Sequence, residues 1–158
     1  MENYLTSKNS YSFEELMPYR IKNILLVASM YDSFLFADDE SLNEALFSQM
    51  LDPYRKGETK IVRAKNPQET FENLKSGQFD LIITMVQAGE LDMDSFVSRI
   101  KEISGDIPIL LLSFNMQDLI NMSEYIKDSI DGIFLWQGDT RIFSAMINMI
   151  EDRKNSDS

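Results

Sequence analysis

Phe79-Asp80-Leu81-Ile82-Ile83-Thr84-Met85 is the stretch whose reading decides the fold. It is a short apolar run followed by a loop containing Gly89. A run of this length, apolar without alternation, is what a central strand of a parallel sheet looks like, because such strands are buried on both faces. In open α/β sheets ligands and chemistry gather at the carboxyl ends of the strands, so the residue closing this run holds the expected functional position. That residue is Met85, whose thioether is neither a nucleophile nor a ligand for a hard cation.

The same pattern repeats on both sides of the run. Ile24-Leu25-Leu26-Val27 predicts a first buried strand ending near Ala28-Ser29, and Lys60 to Ala64 a second. Ile107-Pro108-Ile109-Leu110-Leu111-Leu112-Ser113 predicts a fourth, and Ile133-Phe134-Leu135-Trp136 a fifth. Helical patterns separate them. Asp38-Asp39-Glu40 place negative charge at the start of a helix carrying Leu42, Ala45, Leu46 and Met50 on one stripe. Asn66-Pro67 supplies an N-cap and a proline at the first helical position, with Phe71 and Leu74 facing inward and Gly77 just past the end. Asp92 to Ile103 predicts a third helix and residues 116 to 127 a fourth. Asp139-Thr140 caps a last helix running to about Ile150, and the polar tail from Glu151 to Ser158 reads as a linker or a frayed end. Before the first strand, Ser12 and Glu15 form a capping box for a short extra helix with Phe13, Leu16 and Met17. Five short strands alternating with helices predict an α/β fold, a doubly wound five-stranded parallel sheet. The domain division that follows is an N-terminal extension at 1–21, the main domain at 22–150 and the tail at 151–158.

Composition narrows the chemistry. The 158 residues suit one domain, and an apolar fraction of 44% can build its core. The net charge of −11 disfavours a nucleic-acid backbone or an anionic membrane as partner. Arg55, Lys56, Lys60, Arg63 and Lys65 form the densest basic group and read as a solvated surface. The chain has no Cys and no His, which removes thiol nucleophiles, imidazole bases, histidine ligands and any phosphohistidine relay. No apolar run approaches the roughly 20 residues that span a bilayer, and the amino terminus lacks a secretory pattern, so a cytoplasmic protein is expected.

With its elements in this order the chain resembles the receiver domain of two-component response regulators over about residues 22 to 150. The landmarks are the Ile24–Val27 run, Asp80-Leu81-Ile82-Ile83, the Asp106-Ile107-Pro108 turn before a strand ending in Ser113, and Asp131-Gly132-Ile133-Phe134-Leu135. The resemblance implies a flavodoxin-like receiver fold with strand order 2-1-3-4-5. It also implies which positions would carry phosphotransfer. A receiver holds Mg²⁺ with an acidic pair after the first strand, because that cation prefers carboxylate oxygens; here those positions are Ala28 and Ser29. The phosphoryl-accepting aspartate would close the third strand, at Met85. The lysine that pairs with the phosphoryl oxygens would fall on Trp136. Only the hydroxyl closing the fourth strand remains, as Ser113. Ala28, Ser29, Met85, Ser113 and Trp136 thus form a degenerate receiver pocket, with no catalytic residue, no metal and no cofactor expected.

The aromatic loop Tyr31, Phe34 and Phe36, the Ile133-to-Asp139 segment and the apolar last helix are also similar to the receiver-like amino-terminal region of bacterial phosphoenolpyruvate synthase and pyruvate phosphate dikinase-type proteins. That resemblance implies a front piece of a longer chain whose catalytic domains lie downstream. Asp32, Asp38, Asp39 and Glu40 read as dipole and solubility features, not as a metal site. The last helix is apolar over more than the stripe needed to cover a sheet. Trp136, Ile142, Phe143, Met146 and Met149 are therefore the candidate interface, to a downstream domain, a protein partner or a second copy. The expected function is a non-enzymatic regulatory or docking domain that works without phosphorylation. The alternative is a metabolite or nucleotide sensor binding at the strand ends near Ser29, Ser113 and Gln137.

Overall fold

A parallel sheet is built from all five apolar runs. The computed structural model describes residues 19–28, 59–86, 92–113, 115–137 and 141–156. The elements are β1 (Asn23–Val27), β2 (Lys60–Ala64), α1 (Pro67–Ser76), β3 (Leu81–Val86), α2 (Met93–Ser104), β4 (Ile109–Ser113), α3 (Met116–Ile120), α4 (Glu124–Ser129), β5 (Gly132–Leu135) and α5 (Arg141–Ser156). The strand order is β2-β1-β3-β4-β5, and every pairing is parallel. The extra amino-terminal helix, the 38–50 helix, the aromatic loop, Ser29 and the Asp139-Thr140 cap lie outside the described residues.

Strand pleat sorts the core into two layers. Ile24, Leu26, Ile83, Met85, Leu110 and Leu112 face α5, where Phe143, Met146, Ile147 and Ile150 cover them. Leu25, Val27, Ile82, Ile109 and Leu111 face the opposite side, against Leu74 of α1, Phe96, Val97 and Ile100 of α2 and Ile126 of α4. Each of the larger side chains buried this way contributes about 1.5–3 kcal/mol.

The local signals act as their chemistry demands. Asn66 caps α1 by accepting from the Glu69 N–H at 2.8 Å, with Pro67 at the first position. Asp92 caps α2 through the Ser95 N–H and hydroxyl. Gly105, with φ of 69°, ends α2 in the left-handed region that suits glycine.

Three boundaries differ from the sequence reading. The single helix expected over 116–127 is two short ones. The Asn121 N–H returns to the Gln117 carbonyl and closes α3, and the Ser123 hydroxyl then accepts from the Ile126 N–H and starts α4. The apolar spacing runs through the break and hides it. The central strand begins at Leu81 and reaches Val86, so Met85 sits one residue inside its end.

The last helix continues to Ser156, and residues 151–156 are helix rather than a linker. Glu151 is buried and accepts from the Ile21 N–H at 2.7 Å, with Arg20 Nε at 3.7 Å from the same carboxylate oxygen. Asn155 accepts from the Tyr19 N–H and donates to the Tyr19 carbonyl. A polar tail reads as solvated in sequence because its partners, the backbone groups before β1, are more than 100 positions away.

Candidate functional site

The sheet register brings most of the expected pocket to one edge. Val27 pairs with Thr84, Met85 with Leu112, and Ser113 with both Val86 and Leu135. The Ala28 N–H reaches the Ala64 carbonyl at 3.0 Å and the Trp136 N–H reaches the Ser113 carbonyl at 2.7 Å, extending the ladders one residue past the strands. Ala28, Met85, Ser113 and Trp136 therefore all stand at the carboxyl ends.

Three of them converge. Ala28 is 3% exposed and Met85 5% exposed, in one apolar cluster with Leu112, Phe143 and Met146. Trp136 packs half-buried against that cluster, its ring centroid 5.9 Å from that of Phe143 at a tilt of 45°. Nothing among these side chains can coordinate Mg²⁺ or accept a phosphoryl group. Among the described residues no three carboxylates gather into a group able to hold a metal ion.

Ser113 does not join them. The pleat turns successive residues to opposite faces, so Ser113 points away from the Leu112 side. Its hydroxyl donates to the Asn115 carbonyl at 3.0 Å and accepts from the Asn115 N–H at 3.2 Å, closing a local turn. The pocket drawn from sequence is thus divided between the two faces of the sheet. Gln137 is exposed, and Ser29 lies outside the described residues.

The candidate interface needs correction. Phe143 and Met146 are 1% and 0% exposed, so they belong to the core and are not a surface. Ile142 and Met149 are half-buried against the same cluster. A Cβ on Gly132 would come within 3.0 Å of Met149 Cε, so Met149 sits close over the β5 backbone. The broad apolar face of the helix lies over β1, β3, β4 and β5 together.

Sequence reasoning missed one polar residue at this edge. Arg63, grouped above with a solvated basic cluster, is 8% exposed and donates from Nε to the Ala28 carbonyl at 3.1 Å. The available signal was its place in β2, one residue before buried Ala64. At the opposite end of the molecule, burial first and then the Asp80 and Glu151 carboxylates raise the Tyr19 phenol above its ordinary range.

Neither a family model nor a curated protein sequence matches the chain. Solved structures do match. A response regulator receiver domain from Clostridium thermocellum aligns with a TM-score of 0.61 at 17% identity, over 87% of this chain and 99% of that one. A Thermotoga maritima response regulator, determined in complex with Mg²⁺ and beryllofluoride, aligns with a TM-score of 0.58 at 18% identity, over 82% and 98%. An adenylate cyclase structure from Rhodopirellula baltica aligns with a TM-score of 0.62 at 18% identity, over 86% and 93%. At these identities the likeness is one of fold. The chain folds as response regulator receiver domains do, in a flavodoxin-like five-stranded arrangement.

Proposed function

We propose that this is a regulatory domain that works by docking another protein, without aspartyl phosphorylation. One observation carries the reading. Ala28, Met85 and Trp136 stand where a receiver would place an acid, its phosphoryl acceptor and its lysine, and they pack with Phe143 into one apolar cluster. A phosphoryl group with its Mg²⁺ would meet no acid and no lysine among the described side chains of that cluster, and burying unpaired charge is strongly unfavourable. A fold kept after its reactive groups have gone supports a role for its outer surface. The similarity of the sequence to the front region of phosphoenolpyruvate synthase-like proteins suggests a downstream domain of such a chain as the regulated partner; a dikinase-type reading frame continuing past Ser158 would establish that context.

The test is an amide NMR spectrum of the ¹⁵N-labelled chain with Mg²⁺ and beryllofluoride. The expected result is an unchanged spectrum. Saturable, Mg²⁺-dependent shifts at Ala28, Met85 and Ser113 would overturn the proposal.

A further inference from the structure

Resting on that docking reading, we propose that the docking surface is the groove between α1, α2 and α4, and that it takes a cationic protein segment bearing an aromatic anchor. The groove is open, of about 760 Å³, on the side of the sheet opposite α5. Its apolar part is aromatic. Phe71 of α1 and Phe96 of α2 meet at 5.7 Å between ring centroids, and Tyr125 of α4 stands 42% exposed beside them. Exposed aromatic residues backed by a packed floor are the usual anchors of protein interfaces.

Its charge selects the partner. Asp92, Asp94 and Glu102 line the groove with Arg99 as the sole cation among its described residues. The Arg99 guanidinium lies 6.0 Å from the Phe71 ring centroid and 3.5 Å from Glu102 Oε1, so the groove already holds one cation between an aromatic face and a carboxylate. The Ser123 hydroxyl fixes Asp94 at 2.8 Å, and the Ser95 hydroxyl and N–H hold the Asp92 carboxyl below the ordinary carboxylate range, ionised at neutral pH. An incoming arginine or lysine would repeat the Arg99 arrangement at these two remaining carboxylates. A second copy of a chain carrying −11 charges is a poor occupant, since like charge would oppose it at an acidic rim. Met116 and Ile120 of α3 are more exposed, at 55% and 62%, yet neither lines the groove.

The experiment titrates the ¹⁵N-labelled full chain with a capped hexapeptide of alternating Arg and Trp, at about 150 mM salt to screen diffuse attraction. A Glu/Trp hexapeptide is the control. Saturable shifts centred on Phe71, Phe96, Arg99 and Tyr125 with the Arg/Trp peptide alone are expected. Tyr125→Ser and Glu102→Lys, both at exposed positions, should each weaken binding about tenfold. Asp152→Lys on α5, the same charge change on the other side of the molecule, should alter it less than about twofold, since a solvent-screened charge there is far from the groove. No shifts with millimolar peptide, equal binding of the Glu/Trp peptide, or equal loss in Asp152→Lys and Glu102→Lys would each overturn the assignment. So would groove shifts that depend on protein concentration without peptide, which would make a second copy the occupant. Beryllofluoride shifts at Met85 would instead overturn the docking reading on which the proposal rests, so the two failures are distinguishable.

Discussion

The two ends of the strands treat carboxylates in opposite ways. At the amino ends Asp80 accepts from the N–H groups of Lys22 and Asn23, both at 2.9 Å, and Asp131 accepts from the Ile109 N–H at 2.9 Å. Glu151 does the same for Ile21. At the carboxyl ends, where a receiver carries its reactive acids, Ala28 and Met85 are apolar and packed under Phe143. Among the described residues, carboxylates stand where backbone N–H groups would otherwise lie unsatisfied, and Ala28, Met85 and Trp136 at the carboxyl ends carry none. Asp80 and Asp131, two of the receiver-like landmarks, clamp neighbouring strands. That role does not depend on phosphotransfer.

Placing a carboxylate at the wrong end should break this contrast most severely. Met85→Asp would bury an unpaired acid beside Leu112 and Phe143, and should destabilise by more than about 3 kcal/mol. Urea unfolding monitored by Trp136 fluorescence measures it. A loss below about 1 kcal/mol would mean that the carboxyl edge is hydrated, and the contrast would fail.

Removing an acid from the other end should cost less but still register. Glu151→Ala leaves the Ile21 N–H buried without its acceptor, at about 2–3 kcal/mol. The hydrogen-exchange rate of the Ile21 amide should rise along with the lower urea midpoint. Protection that survives the substitution would show that Asn155 alone holds the Tyr19–Ile21 segment. Asp80→Ala removes an acceptor shared by two less buried N–H groups, and about 1–2 kcal/mol is expected. Asp80→Asn should recover part of it, because an amide oxygen still accepts; no recovery would mean the charge, not the hydrogen bonding, matters.

The smallest effect is a pH dependence at the same end. Tyr19 has its phenol raised by burial and by Asp80 and Glu151, so the folded chain holds that proton more tightly than the unfolded one. The associated stability is complete below the ordinary phenol value and is lost as pH climbs through the raised one. Ultraviolet titration of tyrosinate against a Tyr19→Phe variant reads the shift. A difference spectrum with an ordinary midpoint would remove Asp80 and Glu151 as neighbours of any consequence.

How far the sequence could be read follows from which interactions are local. Strand identity was legible because Leu81 to Ile83 and Ile109 to Leu112 are apolar without alternation, as burial on both faces requires. The caps at Asn66 and Asp92 were legible because capping acts within three residues. The α3–α4 break was not, since Ser123 competes with a helix that apolar spacing alone would continue. The surface was the least legible part. Phe143 and Met146 looked like interface because sequence shows an apolar helix but not how much sheet it must cover.

The sequence by itself determined the alternation of strands and helices and the residue types, without acid or lysine, at Ala28, Met85 and Trp136, since these depend on residue type and order. Tertiary structure alone decided that those three close into one apolar cluster while Ser113 turns to the other face, because that depends on register and pleat. It also decided that buried Glu151 and exposed Asn155 tie the last helix to the segment before β1, because their partners at Tyr19 and Ile21 are brought near only by the folded chain.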